Sequence, residues 1–274
     1  MKKRLSLSET LAVGSMLFGL FFGAGNLIFP VFMGQNAGAN MWGAIVGFLV
    51  TGVGIPLLGV AALGMSRSSG LLEMSSRVGG KYGKFFTCLL YLTIGPFFAI
   101  PRCASTSFSV GIRPMVQNDT TATWLIWIFS LLFFAAVLWF SLQPGKILTW
   151  IGKVLTPLFL VSLALLAVTA LLTPIGSASS VTPEPAYESN SFFAGFLDGY
   201  NTMDALASLA FGIVVVNAIK GLGVTEPTAI AGNTILSGIL GCLLMAVIYI
   251  VLTVIGAQSR VVYPICADGG EALH

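Results

Sequence analysis

Charge is what this chain has least of. Only 8% of its 274 residues are Asp, Glu, Lys or Arg, against about a quarter in soluble domains, and none lies between Glu9 and Arg67. A water-soluble globular domain is excluded, and an integral membrane protein with several helices is implied. Histidine is almost missing as well: the single His274 lies outside every long apolar run, which argues against haem and most metal chemistry. Cys88, Cys103, Cys242 and Cys266 form no CxxC pair, and none lies near that histidine. They read as small apolar packing residues rather than a disulfide framework or a zinc site. No basic cluster with interleaved aromatics is present, so no nucleic-acid partner is expected. HExxH, a phosphate loop and a nucleophile–base pair are also missing, so neither an enzyme nor an organic cofactor is expected.

What is present is a series of long apolar runs. Seven spans follow from the hydropathy, at about 9–33, 41–64, 85–108, 122–142, 154–173, 192–217 and 230–257, each close to the ~20 residues that cross a bilayer. The basic start Met1-Lys2-Lys3-Arg4 and the small-residue stretch Ala37-Gly38-Ala39 imitate a signal peptide. The run Leu11–Met33, however, has 23 residues, longer than the ~7–15 of a signal h-region, and is read as a retained first span. Ten of the thirteen basic residues fall on one side, in the N-terminus (Lys2, Lys3, Arg4) and in the loops bearing Arg67, Arg77, Lys81, Lys84, Lys146, Lys153 and Lys220. Arg113, Arg260 and the acidic loops around Glu184/Glu188 and Asp268/Glu271 fall on the other, with Arg102 in or near span 3. The positive-inside rule then puts the N-terminus in the cytoplasm and His274 outside.

Within the first run, FGLFFGAGNLIFP (18–30) holds Gly19, Gly23, Gly25, Asn26 and Pro30. A spanning segment must satisfy its own backbone, because lipid offers no hydrogen bonds. Glycine weakens a helix and proline deletes a donor. Such a break survives only where it packs in protein or lines a cavity, the form in which many secondary transporters build their sites. Span 6 is interrupted too: FLDGYNTMDALASLAFG (196–212) contains Gly199, Asn201, Thr202, Asp204, Ser208 and Gly212. The loop 174–191, with Pro174, Pro183 and Pro185, separates five spans from two. A five-span unit repeated in tandem must be inverted, which would pair span 6 with span 1.

These breaks supply the site candidates. At Gly23, Ala24, Gly25 and Asn26, backbone N–H groups would face a carboxylate, while carbonyls and the Asn26 side-chain oxygen would take a small cation. A second reading makes the same residues a helix-packing face, with Asn26 in an interhelical hydrogen bond. Asp204 lies about 12 residues into span 6, roughly 18 Å at 1.5 Å per residue, hence near the midplane. It is open to an ammonium, a cation, a proton or Arg102. Asp198 lies nearer the outer end. Arg102, after Pro101, would gate the outer vestibule, pair with an aspartate, or snorkel to the interface. Phe21, Phe22 and Phe211 stand beside the breaks, where apolar side chains suit an aliphatic substrate.

FGAGNLIFP (22–30), TIGPFFAIPR (93–102) and DGYNTMDALASLAFGIVVVNAI (198–219) together resemble the bacterial branched-chain amino acid:cation symporter family. The resemblance implies a leucine-transporter-type fold, an all-α polytopic membrane protein with a five-plus-five inverted repeat and broken helices 1 and 6. It implies sodium-coupled, or in some members proton-coupled, uptake of leucine, isoleucine and valine across the bacterial inner membrane. Carried over by residue, Ala24 and Gly25 would offer amides to the substrate carboxylate and Asn26 would contact sodium. The carbonyls of Gly19 and Phe22 would belong to a second sodium site. Ala205, Ser208, Leu209 and Phe211 are substrate candidates in span 6. Family members have about a dozen helices, so the expected organisation is a first five-helix repeat at 1–174, an exterior loop at 175–191, and two helices of the second repeat at 192–274. The helix that completes the second sodium site would be missing. The alternatives are an inactive or regulatory membrane fragment, which by this count would insert but not concentrate leucine, and a channel, for which no filter motif is present.

Overall fold

The computed structural model describes residues 3–116, 118–142, 156–174, 176–266, 269–270 and 272. Lys2, Lys146, Lys153, Asp268, Glu271 and His274, used above to assign sidedness, lie outside the described residues. Among the described residues the chain is helical, with no strand.

Helix α1 (Leu7–Phe21) opens on a capping box. The Ser6 hydroxyl accepts from the Glu9 N–H at 3.3 Å and the Glu9 carboxylate accepts from the Ser6 N–H at 2.8 Å, so two otherwise orphaned donors are satisfied. It stops at Phe21, Phe22 and Gly23 are extended, and the chain restarts as α2 (Ala24–Ala37). Pro30 falls inside α2, and its missing N–H leaves the Asn26 carbonyl without its helical donor. Gly38, at φ +47°, turns the chain, and a Cβ there would stand 2.6 Å from the Val181 carbonyl oxygen. Helix α3 (Met41–Leu49) passes through a π-helical turn at Val50–Gly54 into α4 (Ile55–Ser66). Short α5 (Leu71–Ser76) follows, then α6 (Gly80–Leu92). A distorted turn at Thr93–Phe97, where Gly95 is non-helical ahead of Pro96, leads into α7 (Ala99–Gly111). Next come α8 (Asp119–Ser141) and α9 (Thr156–Leu172). The sixth expected span is two helices, α10 (Pro185–Asn201) and α11 (Asp204–Gly221), separated by Thr202 and a left-handed Met203. Helix α12 (Pro227–Ser259) is the longest, at 33 residues.

Among the described residues, five stretches are long and apolar enough to cross a membrane: Ala24–Ser66, Gly80–Met115, Asp119–Ser141, Asp204–Gly221 and Pro227–Ser259. Leu7–Phe21 and Thr156–Ala170 are shorter apolar helices. Two of the seven expected spans account for the difference: α1 stops at the break after 15 residues while α2 runs on into the second span, and α9 has 17 residues, both fewer than the ~20 that cross alone. Boundaries shift for local reasons. Pro185 at the first helical position begins α10 within the stretch read as an exterior loop, because proline's fixed φ suits N1.

Two helix pairs run side by side in the same direction. The α1–α2 pair lies along α12: Leu5 N–H donates to Asn233 Oδ1 at 3.2 Å near one end, and Gln35 Nε2 to Ser259 Oγ at 3.2 Å near the other. The α10–α11 pair lies along α3–α4, where Thr51 Oγ1 donates to the Phe196 carbonyl at 2.7 Å and Ser208 stands against Gly59. A Cβ on Gly34 would stand 2.1 Å from the Thr253 carbonyl oxygen, and one on Gly195 2.0 Å from that of Ala44. Lipid gives no hydrophobic drive between helices, so close backbone approach carries the packing. Helix α12 runs antiparallel to α3–α4, with Thr234 on Gly64 and Tyr249 on Gly52. The chain therefore reverses at Gly38, inside the long stretch Ala24–Ser66.

The core sits among these elements, where Leu17, Phe18, Phe48, Met245 and Tyr249 are fully buried. By contrast, α8 buries only Ala122 among its residues and exposes Trp124, Trp127 and Trp139. At one end of the bundle Lys3 pairs with Glu226 at 3.7 Å and Arg77 donates to the Ser66 carbonyl. At the other, Glu184 N–H donates to the Asn36 carbonyl at 2.8 Å and Arg260 pairs with Glu184 at 3.8 Å. The described loops assigned above to opposite sides thus gather at opposite ends.

Candidate functional site

Both helix breaks open into the middle of this core. At the first, the Asn26 side-chain oxygen accepts the Gly23 N–H at 2.9 Å and the Asn26 N–H donates to the Gly23 carbonyl at 3.1 Å. The amides of Ala24 and Gly25, first in α2, have no acceptor within the helix. At the second, Met203 N–H donates to the Tyr200 carbonyl at 3.0 Å, and the Met203 carbonyl accepts from Leu206 and Ala207 at 3.1 and 2.9 Å.

Asp204, the first residue of α11, joins the breaks. Its Oδ2 accepts from Asn26 Nδ2 at 2.6 Å and from the Tyr249 hydroxyl at 2.9 Å, and Asn26 and Tyr249 also touch each other. All three side chains are buried, so α2, α11 and α12 meet at a single carboxylate oxygen. Both donors to it are neutral. A carboxylate in this setting holds its charge only at a desolvation cost, and a cation or a proton at the same place would offset it.

Arg102 reaches the second break. Its Nη1 donates to the Asn201 carbonyl at 2.8 Å and its Nη2 to the Thr202 carbonyl at 3.2 Å, at the end of α10. Gly25 lies directly behind the guanidinium, which stands 5.5 Å from the ring centres of Phe29 and Phe98. A cavity of about 450 Å³ runs along the first break, lined by Phe22, Gly23, Ala24, Leu27, Thr106 and Ser107 among others. A second, of about 440 Å³, runs along the second break, lined by Phe29, Phe98, Arg102, Asn201, Met203 and Leu206 among others.

The structure brings Gly23, Ala24, Gly25, Asn26, Asp204 and Arg102 together. Gly19 and Phe22 end α1 nearby, with the buried Thr156 hydroxyl against Gly19 and the Phe159 ring 5.2 Å from Phe22. Ala205 follows Asp204 and is half-buried. Ser208 faces elsewhere: its hydroxyl donates to the Ala205 carbonyl at 2.7 Å and packs on Gly59 of α4. Leu209 and Phe211 pack into the apolar clusters that flank α11. Asp198 accepts from the Tyr187 hydroxyl within α10, away from the breaks. Sequence reasoning missed Tyr249 and Met203. Tyr249 had a readable signal, because it is the only tyrosine between Pro227 and Ser259 and a buried phenol needs a partner.

The family model for branched-chain amino acid transport proteins matches residues 6–274. The chain is 54% identical over 273 residues to the branched-chain amino acid permease BrnQ of Lactobacillus delbrueckii subsp. lactis, covering 100% of this chain and 61% of the relative. It is 45% identical over 273 residues to BrnQ of Bacillus subtilis (strain 168), again 100% of this chain and 61% of the relative. With BrnQ of Escherichia coli (strain K12) the identity is 39% over 274 residues, with the same shares of 100% and 61%. The chain therefore spans about three fifths of the length of these relatives. No solved structure matches. The chain belongs to the branched-chain amino acid transport protein family, a family of carriers rather than enzymes.

Proposed function

We propose that this member of the family bears the substrate and coupling-ion site of a secondary active transporter that takes up leucine, isoleucine and valine with sodium or protons. One observation carries the reading: two interrupted helices meet in a buried core, joined at Asp204 by Asn26 and Tyr249, with Arg102 on the carbonyls that end α10. Free amides at Ala24 and Gly25 suit a carboxylate, carbonyls at the end of α10 suit an ammonium, and Phe29, Phe98, Met203 and Leu206 offer an aliphatic side chain apolar surface. Asp204 balances the coupling ion. Gly19 and Phe22 contribute carbonyls to a sodium site.

Seven crossings follow when α1–α2 and α10–α11 each count as one broken span. An inverted repeat is supported by how the pairs match. Gly14, about eight residues before the first break, meets Gly241 of α12; Gly195, about eight before the second, meets Ala44 of α3. The bacterial inner membrane is carried over from the bacterial permeases that the chain resembles, and a cytoplasmic N-terminus from the charge distribution. Single cysteines from Ser69→Cys and Ser189→Cys in a cysteine-free background test this: an impermeant reagent should label only the second in intact cells.

The functional test is binding of tritiated leucine to the purified chain. Saturable binding displaced by isoleucine and valine but not by lysine or glutamate is expected, and sodium or a pH change should shift its affinity. Binding that neither aliphatic amino acid displaces would refute the assignment.

A further inference from the structure

The guanidinium of Arg102 stands where a substrate's amino group belongs. This rests on the reading above, in which an amino acid bridges the two breaks. The two carbonyls at the end of α10, on Asn201 and Thr202, are the acceptors an ammonium would use, and both are already taken by Arg102 at 2.8 and 3.2 Å. The side chain is also wedged against α2: a Cβ on Gly25 would lie 2.8 Å from Nη2 and 3.1 Å from Cζ. It stands between the two cavities. Arg102 lines the one at the second break, its chain neighbour Cys103 lines the one at the first, and Phe29 and Leu27 divide in the same way. A ligand with its carboxylate on the α2 amides and its ammonium on the α10 carbonyls reaches both only when the guanidinium withdraws.

We propose that Arg102 is a specificity-determining residue: it holds the cation position at the second break, and a ligand enters by replacing it with a cationic amino group of its own. The exchange is like for like. An ammonium brings one positive charge and three N–H donors, enough for both carbonyls. A carboxylic acid of the same shape without the amine would leave those acceptors unpaired, a loss that buried polar groups tolerate badly. The present position of Arg102 is also under-satisfied, because its buried Nε has no hydrogen-bond partner and the guanidinium abuts the positive end of α2. A fully paired arginine would be fixed, whereas this one is displaceable. Arg102 thereby filters for the amino group, while the apolar wall reads the side chain.

The experiment measures equilibrium binding of tritiated leucine to the purified chain and to Arg102→Ala, with 4-methylpentanoate, which is leucine without its amine, and guanidinium ion as competitors. In the wild type, leucine should bind and neither competitor should displace it. In Arg102→Ala the leucine Kd should fall by about tenfold, the order expected for freeing paired acceptors. In that variant 4-methylpentanoate should compete, and millimolar guanidinium should compete by refilling the vacated position. A Kd that stays the same or rises, with 4-methylpentanoate still excluded, overturns the proposal, as does competition by 4-methylpentanoate in the wild type. Should Arg102→Ala not fold by size-exclusion chromatography, Arg102→Lys, which keeps the charge but loses the two-pronged reach, should show the same fall in smaller degree. Wild-type binding without improvement in the variants defeats this inference alone. No leucine binding by any of these proteins defeats the substrate reading, and the inference with it.

Discussion

At Phe22–Gly23 the chain breaks at a glycine and repairs the break locally, with the Asn26 side chain folding back on the Gly23 amide at 2.9 Å. At Thr202–Met203 it breaks at a non-glycine residue held at φ +69° and is repaired from another helix, by Arg102 on the Asn201 and Thr202 carbonyls. Each break ends one helix and begins another, so each offers carbonyls and amides; the proposed site uses the amides of α2 at the first and the last carbonyls of α10 at the second. The second break has a local bond too, Asp204 N–H to Thr202 Oγ1 at 3.4 Å, but adds a tertiary contact and stores local strain, of order 1–3 kcal/mol for a non-glycine residue in such a region. Amides from one break and carbonyls from the other, with a carboxylate between them, suit a zwitterion.

The two breaks meet at Asp204, where the largest effect is expected. Asp204→Ala removes the acceptor shared by Asn26 and Tyr249 and leaves two buried donors unpaired, at about 1–3 kcal/mol each. Leucine binding should fall by about a hundredfold or more, and thermal unfolding in detergent should show a lower Tm. Next is a contrast inside a single motif. Gly25→Ala would drive a methyl to 2.8 Å from Arg102, whereas Gly23→Ala meets nothing closer than 3.7 Å in an extended conformation any residue adopts. Gly25→Ala should crowd Arg102 out of its present seat and lower the Tm, equivalent to about 1–3 kcal/mol, while Gly23→Ala should stay within about 0.5 kcal/mol of wild type. Equal losses in the two variants would mean that glycine flexibility, not the room for Arg102, matters there.

Asn26→Leu should weaken binding by about tenfold, since it removes both the Gly23 acceptor and an Asp204 donor. Unchanged binding and unchanged ion dependence would return Asn26 to a packing role. The smallest effect concerns strain. Met203→Gly should raise the Tm slightly, equivalent to a gain of about 0.5–1 kcal/mol, because only glycine adopts that φ freely. The corresponding φ at Gly23 is −129°, so no such gain is available at the first break.

The two breaks were unequally legible in the sequence. Gly23, Gly25, Asn26 and Pro30 advertise the first, because each acts on the backbone within a few residues of itself. The second was readable only as a stretch of polar and small residues from Gly199 to Gly212. What meets it at Asn201 and Thr202, the Arg102 guanidinium, comes from more than ninety residues away in the chain. The same reason explains Ser208, which has the composition of a site residue but packs on Gly59, a neighbour no local pattern reveals. Class and helix content followed from composition alone. The described residues hold five candidate spanning helices rather than seven, since the broken first span yields one half too short to register and another that runs on past Gly38, and α9 has 17 residues.

On the proposed reading the two breaks form one site coupled through Asp204. A double-mutant cycle between Asn26→Leu and Asp204→Ala, read by leucine affinity, tests it most directly. If the breaks act as one, the double variant should bind within about twofold of Asp204→Ala alone, a coupling of about 1 kcal/mol or more. Losses that simply add would contradict it and make the two breaks independent.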